Sequence, residues 1–373
     1  MAISIVPYAS HHKAAVREFN QRLRAGGAAG DLVFYEDSTP RFLPKRPGSD
    51  LYNEYFVAVE DGVVRAGYAL KHQRFFFEDG EVRSVGYYHH PLSEGLVNKA
   101  YSHAGAILLR DALARQPLLY CLGMDGYDNP LPKMLKLLGW SDCLVPFLFR
   151  VVHPAAFLRQ VEAVRQGAWR RFFMDVAAWS GAGWLAFRGA QTWKQWRARR
   201  PQVHAAEEVA KFEDWANPLW EEAKGAHAMT AVRDADTLRT LFPATEAHLT
   251  RIRLSVGGRA IGWAVVGERK KNPKFGELRV GSIIDCFASP ENALSVVREA
   301  ARALERRGVD LITSNQSHGT WRGAFRESGF LEGPSNFIFA ASPKLSRLLS
   351  PFEEKKARVH FTRADGDGLP RNY

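Results

Sequence analysis

One stretch, residues 84–140, alternates short apolar runs with helical patterns and constrains the fold more than any other part of the sequence. An apolar run at 84–88 precedes a polar loop and a helical stripe of Ala104, Ile107, Leu108 and Ala112. A second apolar run at 118–122 leads into another helical pattern at 131–138. This order predicts a βαβα unit whose two strands are parallel.

A similar order of elements recurs near the C-terminus. Residues 281–288 and 309–314 predict strands, with a helical pattern from Leu294 to Leu304 between them, and residues 320–328 predict a second short helix. Gly329-Phe330 then follows that helix as Gly139-Trp140 follows the last helix of the first copy. The recurrence predicts a tandem duplication of one fold.

Composition sets limits on the class of protein. The chain has 373 residues, of which 46% are hydrophobic and 24% charged, which is typical of one large or two ordinary globular domains. A formal net charge of +11 favours an anionic partner, which is a phosphorylated cofactor, an anionic membrane surface or nucleic acid. The three cysteines lack metal or disulfide spacing, so we expect a reducing compartment and no metal site. No apolar run is long enough to span a membrane, and a cytoplasmic location is expected.

The first copy resembles the acyl-CoA-binding core of the GNAT acetyltransferase superfamily, and the pair is similar to Fem-type aminoacyl transferases, mycothiol synthase and other double-GNAT proteins. The resemblance implies an α/β fold with mixed sheets, in two GNAT-like acyl-CoA N-acyltransferase domains. We place these domains at 1–153 and 226–345, with a helical linker at 154–225 and a tail at 346–373. In this superfamily the CoA pyrophosphate binds at the helix N-terminus, and the pantetheine lies between the two parallel strands.

The loop before the first helix is the predicted site for acetyl-CoA or another acyl-CoA co-substrate. Backbone N–H groups at a helix N-terminus favour an anion, and Lys99 adds positive charge. The resemblance implies cofactor contacts from Gly95, Leu96, Val97, Asn98, Lys99 and Gly105. The loop departs from the family pattern Q/R-x-x-G-x-G/A, because Ala100 and His103 stand at its first two conserved positions.

The corresponding loop of the second copy differs in two ways. Pro290 lacks an N–H group, and Glu291 repels phosphate. We therefore predict that the cofactor binds to the first copy and the acceptor to the second.

An N-acyltransferase needs a base for the acceptor amine and an acid for the leaving thiolate. Side chains that follow the strands supply the predicted catalytic groups, which are His89, His90, Glu94, Tyr127 and Asp285. Ligands bind at the carboxyl ends of parallel strands, which predicts acceptor contacts from Asp125, Asn315, Gln316 and His318. The structural alternatives are exposed loop residues, helix caps and, for Asp285, a carboxylate held by backbone amides. Leu135 and Phe325 stand where the family often has a tyrosine acid.

The predicted linker is basic and rich in tryptophan. Residues 159–200 contain nine Lys or Arg, two acidic residues and five of the ten Trp. This pattern predicts either a helix that packs its Trp face on the domains, or a peripheral contact with an anionic membrane surface through residues such as Trp179 and Trp184.

The sequence as a whole predicts an N-acyltransferase in which an amine attacks the thioester of acyl-CoA directly. The ending Thr-Arg-Ala-Asp-Gly-Asp-Gly is similar to endings in proteins of bacterial polysaccharide gene clusters, so an amino sugar, free or lipid-linked, is the expected acceptor. One alternative is a Fem-like aminoacyl-tRNA-dependent transferase, which the basic linker favours, but no coiled-coil arm of clear heptads is present and nucleic acid is not the expected partner. The other is a non-catalytic GNAT-fold scaffold, which the missing loop glycine and tyrosine favour.

Overall fold

A computed structural model describes residues 3–30, 32–154, 157, 204–268 and 278–366. The chain forms two compact units: unit 1 comprises Met1–Cys143 and Ile338–Lys355, and unit 2 comprises Leu144–Phe337 and Lys356–Tyr373. Each unit therefore contains two separate segments of sequence, whereas the predicted domains at 1–153 and 226–345 are contiguous. The predicted membrane contact of Trp179 and Trp184 falls outside the described residues.

The first part of the chain, as far as residue 151, contains the expected βαβα region and the strands and helix that precede and follow it. The elements are β1 (Ser4–Pro7), α1 (Lys13–Ala25), β2 (Tyr52–Glu60), β3 (Val63–Phe77), β4 (Val82–Ser93), α2 (Ala104–Arg115), β5 (Leu119–Gly123), α3 (Pro130–Leu137), β6 (Ser141–Leu144) and β7 (Phe147–Val151).

The second part repeats this order, with additional elements after its first helix and after the strand Ile338–Ala341. It contains β8 (Ala205–Val209), α4 (Ala216–Ala223), β9 (Met229–Ala231), α5 (Ala235–Leu241), β10 (Leu249–Val256), β11 (Arg259–Glu268), β12 (Val280–Ala288), α6 (Ala293–Arg306), β13 (Leu311–Asn315), α7 (Gly319–Glu327), β14 (Leu331–Gly333), β15 (Ile338–Ala341), α8 (Pro343–Leu348), α9 (Phe352–Lys355) and β16 (Val359–His360). None of the helices in the described ranges is long and apolar enough to cross a bilayer.

The sheet of unit 1 has the order β1-β2-β3-β4-β5-β15-β6. Its strands β4 and β5 are parallel, joined at Gly86↔Leu119 and Tyr87↔Tyr120, which confirms the prediction for the first copy. The pairs β1-β2, β2-β3, β3-β4 and β5-β15 are antiparallel.

The sheet of unit 2 has the order β14-β7-β13-β12-β11-β10-β8. Here β12 and β13 form the parallel pair, with Val280↔Leu311, Gly281↔Ile312 and Ser282↔Thr313 in register. The predicted duplication is therefore visible in both units, because β4-β5 and β12-β13 are each a parallel pair with antiparallel neighbours.

The two closing strands are exchanged between the copies. Strand β15, which follows the second copy in sequence, pairs with β5 of the first copy through Phe339↔Leu122. Strand β7, which follows the first copy, pairs with β13 of the second copy through Asn315↔Phe147. Each closing strand thus lies next to the parallel pair of the other copy. Strand β15 is beside β5, and β7 is beside β13.

Helix α2 lies on one face of the sheet of unit 1. Its buried residues are Ala104, Leu108, Leu109 and Ala112, which pack with Tyr68 and Tyr88. The predicted stripe is shifted in one position, because Leu109 is buried and Ile107 is only half-buried. Fully burying a leucine side chain contributes about 1.5–3 kcal/mol to the free energy of unfolding. The buried face therefore fixes the position of α2 on the sheet, and with it the position of the α2 N-terminus.

Candidate functional site

Strands β4 and β5 diverge beyond their short parallel ladder. The ladder ends at Tyr87↔Tyr120, although β4 continues to Ser93 and β5 to Gly123. The Tyr87 hydroxyl donates to the carbonyl oxygen of Leu122 at 2.9 Å, and its ring stacks on Tyr120 with the centroids 5.0 Å apart. We call the space where β4 and β5 diverge beyond Tyr87 and Tyr120 the first fork.

The two predicted histidines at this fork have different surroundings. Strand β4 contains a β-bulge, because Ala69 pairs with His89 whereas Gly67 pairs with Leu92, and His90 has a positive φ of 51°. The bulge turns His90 so that its Nε2 donates to the carbonyl oxygen of Val33 at 2.7 Å. His90 is therefore engaged by the loop after α1, and His89 remains beside the fork.

His89 has a chemically available ring nitrogen. Its ring stacks on Tyr87 at 4.7 Å, and its buried Nε2 has no hydrogen-bond partner among the described residues. Burial lowers the pKa of His89 well below its ordinary value, with further lowering from His90 and from the positive charge of Lys71. The imidazole is therefore neutral at physiological pH, which is the form that accepts a proton.

Two buried polar residues on the same face of the sheet were not predicted from the sequence. Lys71, only 1% exposed, lies opposite Tyr87, and its Nζ is 5.5 Å from the Tyr87 ring centroid. Gln73 is equally buried, and neither of its side-chain amide atoms has a partner in the part of the chain that the structure describes. The two residues are two positions apart in an apolar strand, so they lie on one face of it. This spacing is the sequence pattern from which the pair could have been predicted.

Glu94 holds the loop that leaves the fork. Its carboxylate forms salt bridges with Arg65 at 3.1 Å and with Arg22 at 3.3 Å, and its side chain is 7% exposed. These contacts satisfy both oxygens and tie Glu94 to β3 and α1.

The loop between β4 and α2 consists of two 3-10 turns, Glu94–Leu96 and Lys99–Tyr101. A Cβ atom at Gly95 would lie 2.5 Å from the carbonyl oxygen of Tyr101, so the turn requires glycine at this position. The Asn98 side chain accepts from the N–H of Ala100 at 3.1 Å and is used within the loop. The side chains of Leu96 and Lys99 are exposed, and that of Val97 is half-buried against the core around α1.

The N-terminus of α2 has the properties of an anion site. Its N-cap residue, His103, makes no side-chain cap, and the first turn contains no acidic residue. A Cβ at Gly105 would meet no atom within 4 Å, so the space beside this turn is open. The residues present therefore fit a pyrophosphate better than those at the N-terminus of α6, where the 3-10 turn Pro290–Asn292 contains Glu291.

A groove beside α6 reinforces this contrast within unit 2. It has a volume of about 280 Å³ and is lined partly by Glu222, Arg259, Ser289 and Glu291. Arg259 is paired with Glu222 at 2.5 Å, so the lining has a net negative charge. Phosphate binding is disfavoured there.

Strand β5 ends in a left-handed turn that carries the remaining predicted residues of the first copy. The φ angles of Gly123, Met124, Asp125 and Gly126 are all positive, from 52° to 100°. Asn129 stabilises this turn by donating from Nδ2 to the carbonyl oxygens of Met124 at 3.2 Å and Asp125 at 3.0 Å. The turn places the side chain of Asp125 in an exposed position.

Tyr127 follows that turn and keeps its proton. Its hydroxyl donates to Asp142 Oδ1 at 2.5 Å, and 42% of the residue is exposed. Burial of the ring and the Asp142 carboxylate both raise the pKa of Tyr127 above its ordinary value. The residue is thus a hydroxyl donor at physiological pH.

The predicted residues of the second copy meet at the carboxyl ends of β12 and β13, where Asp285 is held in an ion pair. Asp285 Oδ2 accepts from Arg233 Nε at 2.7 Å, and Arg233 Nη2 donates to Asp365 Oδ1 at 2.6 Å. Burial raises the pKa of Asp285 to about 6, against the opposing effect of Arg233. One guanidinium faces two fully buried carboxylates, which explains why one of them retains a proton into mildly acidic pH.

The other three residues of this group also make internal contacts. Asn315 Nδ2 donates to the carbonyl oxygen of Pro146 at 3.3 Å, and Gln316 Nε2 lies 3.4 Å from Cys286 Sγ. His318 caps α7 by accepting from the N–H of Thr320 at 3.2 Å. All three are buried, and of the structural alternatives only the helix cap is seen among them, at His318. Within the described ranges, no group of three or more His, Cys, Asp or Glu is arranged to hold a metal ion.

A parallel pair of strands joined by a helix occurs in both units, and this arrangement defines a tandem GNAT fold. Solved structures that are similar to the chain include a probable N-acyltransferase from Enterococcus faecalis, at 9% identity and a TM-score of 0.51 over 91% of this chain and 72% of that chain. They also include a GCN5-related N-acetyltransferase from Anabaena variabilis, at 10% identity and a TM-score of 0.52 over 91% of this chain and 72% of that chain. N-myristoyltransferase from Saccharomyces cerevisiae with bound myristoyl-CoA is a third, at 10% identity and a TM-score of 0.51 over 91% of this chain and 82% of that chain. At these identities the likeness establishes the fold.

Comparison of the sequence itself adds no closer relationship. No family model matches it, and no curated protein does. The chemistry of the site therefore carries the functional conclusion.

Proposed function

We propose that the protein is an acyl-CoA-dependent N-acyltransferase that binds its acyl-CoA in the first fork of unit 1. The observation that carries the proposal is the divergence of β4 and β5 beside an α2 N-terminus with no side-chain cap and no acidic residue. The similar structures support it, because their names include N-acyltransferases and one contains bound myristoyl-CoA.

The α2 N-terminus supplies what a pyrophosphate needs. Backbone N–H groups of the first turn and the positive end of the helix dipole favour negative charge, and Lys99 adds a cation to the loop. Gly105 leaves open space beside these groups, and Gly95 permits the tight turn that presents them. We assign the cofactor contacts to residues 95–99 and Gly105, mainly through the backbone, since the Asn98 side chain is already used.

His89 and Tyr127 are the residues that we assign to proton transfer. Bound acyl-CoA supplies the thioester, whose carbonyl carbon forms a bond to the acceptor nitrogen while its bond to sulfur breaks. His89 accepts the proton released by the amine at its Nε2, which has no partner among the described residues. Tyr127 provides a phenol proton for the leaving thiolate, for which its hydroxyl must exchange the hydrogen bond that it donates to Asp142 for one to the sulfur.

We propose a primary amine as the acceptor and, from the ending of the sequence, an amino sugar of a surface polysaccharide. An assay with one acyl-CoA and a panel of acceptors tests this finer assignment. Amino sugars are expected to release CoA thiol faster than amino acids, peptides or aminoacyl-tRNA. Faster transfer to any of the latter would replace the proposed acceptor without affecting the proposed reaction type.

Ligand-dependent thermal stability tests the proposed function most directly. A ligand that binds only the folded protein stabilises it by about 2.7 kcal/mol when its concentration is 100 times Kd. The melting temperature is therefore expected to rise with added CoA and with acetyl-CoA. No shift at millimolar concentrations of several acyl-CoA compounds would contradict the proposal.

A further inference from the structure

We propose that the C-terminal segment, residues 359–366, is a built-in ligand of unit 2. It fills the second fork, which is the space where β12 and β13 diverge beyond Ser282 and Thr313. The chain is thereby left with a single acyl-CoA site, in unit 1. The statement about acyl-CoA rests on the proposed function, whereas the statement about the segment does not.

The backbone of the segment lies on the edge of β13 that faces β12. The N–H of Gln316 donates to the carbonyl oxygen of Pro146 on the side of β7, and the next N–H, that of Ser317, donates to the carbonyl oxygen of Phe361 at 3.2 Å. Successive residues of an extended chain direct their N–H groups to opposite sides. Phe361 is therefore on the opposite edge from β7, where Thr362 also forms an antiparallel bridge with Gln316.

Side chains reinforce this pairing. Ser317 Oγ donates to the carbonyl oxygen of Val359 at 2.5 Å and accepts from the N–H of Phe361 at 2.7 Å. Further along, Arg363 Nη1 lies 3.1 Å from Thr313 Oγ1 and 3.4 Å from Ser282 Oγ. Because Ser282 and Thr313 form the last pair of the parallel ladder, the Arg363 guanidinium lies where the two strands begin to diverge.

The segment is also tied to β12, on the other side of the second fork. Asp365 binds Arg233 Nη2 at 2.6 Å, and the same guanidinium binds Asp285 of β12 at 2.7 Å. Asp365 Oδ2 also accepts from the N–H of Thr362 at 2.9 Å, which fixes the turn. Arg233, Asp285 and Asp365 are all 1% exposed or less, so displacement of the segment would leave buried charges unpaired.

The first and second forks therefore differ in what occupies them. In the first fork, the hydrogen bond that spans the space comes from a side-chain hydroxyl, that of Tyr87 on the carbonyl oxygen of Leu122. In the second fork, the strand edge is occupied by main-chain pairing of Thr362 with Gln316, by the Arg363 guanidinium and by the ion pair of Asp365 with Arg233. The amide groups of a pantetheine would need the same strand edge. Acyl-CoA binding is therefore expected at the first fork and excluded from the second.

Hydrogen exchange of the full chain, measured by mass spectrometry with and without CoA, tests the inference. Amides in 315–319 and 359–366 are expected to exchange slowly in both states, whereas CoA slows exchange in 94–106. Calorimetric titration is expected to give one CoA per chain. Two CoA per chain, or faster exchange of 359–366 on adding CoA, would overturn the inference.

The outcome for the segment is separable from that of the proposed function. If CoA does not bind, the proposed function fails, and slow exchange of 359–366 in the free protein still supports the filled fork. Fast exchange there overturns the inference whether or not CoA binds.

A pair of arginine variants provides the matched control. Arg363→Ala removes the contacts with Ser282 and Thr313 and is expected to accelerate exchange in 359–366. Arg347→Ala, at an exposed position of α8, removes the same charge and is expected to leave that exchange unchanged. Equal exchange in the two variants would contradict the role of Arg363. If Arg363→Ala fails to fold, the wild-type exchange and stoichiometry still decide.

Discussion

The hydroxyl of Tyr87 donates a hydrogen bond to the carbonyl oxygen of Leu122 across the first fork, at 2.9 Å. The neighbouring Tyr88 is also buried, but its hydroxyl has no hydrogen-bond partner among the residues that the structure covers. The two side chains point to opposite faces of β4, as successive residues of a strand do. They form a natural pair for measuring the contact that spans the fork.

Replacing Tyr87 with phenylalanine is expected to lower the free energy of unfolding by about 1–3 kcal/mol, since the buried carbonyl oxygen of Leu122 loses its partner. Tyr88→Phe is expected to be neutral or stabilising, because it removes a buried hydroxyl that has no partner in the described ranges. Urea denaturation of both variants measures the difference. Equal losses would mean that the Tyr87 bond contributes nothing specific.

Gly105→Leu is expected to abolish CoA binding while leaving the fold intact, because its side chain would enter the open space beside the first turn of α2. Gly323→Leu is the matched control, since Gly323 is also a helical glycine at which an added Cβ would meet no atom within 4 Å, but lies in α7 of unit 2. Both changes replace glycine with a better helix former, which should stabilise each helix by about 1 kcal/mol. Thermal shift with CoA distinguishes them, and retained binding in Gly105→Leu would remove the assigned site.

His89→Gln is expected to lower kcat by about 10²–10⁴-fold, the usual contribution of a positioned general base. The melting temperature and CoA affinity should change little, because the ring nitrogen Nε2 has no hydrogen-bond partner to lose in the described part of the chain. His90→Gln is the control, and its main effect should be on stability through the lost bond to Val33. Steady-state kinetics with CoA-thiol detection would refute the assignment if His89→Gln retained full activity.

His318 is expected to make the protein sensitive to mild acid. Burial lowers the pKa of His318 to about 4, below the value of 6.5 expected when it is unfolded. The unfolded chain therefore binds a proton between these values that the folded protein does not, and stability falls as pH decreases from 6.5 towards 4. His318→Asn retains a capping side chain and should reduce the loss of unfolding free energy between pH 7 and 5 by about 2 kcal/mol.

Urea denaturation at the two pH values measures that difference, and substitution of the exposed His11 with asparagine is the control. The same pH dependence in wild type and His318→Asn would show that other groups carry the acid sensitivity.

Arg233→Met is expected to destabilise unit 2 by about 3–5 kcal/mol at pH 7, because Asp285 and Asp365 would remain buried without their cation. The penalty should shrink as pH falls from 7 to 5. In the wild-type protein the pKa of Asp285 is raised to about 6 by burial, against the lowering effect of Arg233. Without Arg233 the pKa rises further, so the folded variant binds a proton at Asp285 at pH values where the unfolded chain stays charged. Denaturation from pH 7 to 5 measures the trend, and a penalty that grows in acid would contradict it.

Local sequence patterns predicted much of the fold. Apolar runs at 84–88 and 118–122 and the helical stripe between them identified the parallel pair and α2, and the same reasoning identified β12, α6 and β13. These elements depend on periodicity and on residues near in sequence. Gly95 also belongs here, because its tight turn closes against Tyr101 only six positions away.

The candidate site was only partly predictable for the same reason. A pattern of residues placed His89, His90 and Glu94 at the end of β4, but not their partners. The bulge at His90 and the salt bridges of Glu94 to Arg65 and Arg22 depend on contacts with other elements. The sequence does not show that Lys71 and Gln73 are buried, and only the structure distinguishes them from exposed polar residues of a strand.

The sequence by itself determined the repeated βαβα units, the tandem fold and the difference between the two helix N-termini, because each depends on neighbouring residues. Only the tertiary structure decided the exchange of β7 and β15 and the filling of the second fork by residues 359–366. An apolar closing strand can pair with any free strand edge of suitable length, and no local pattern specifies which one. The bridge from Gln316 to Thr362 and the ion pairs of Arg233 join residues far apart in sequence, so folding of the whole chain selects them.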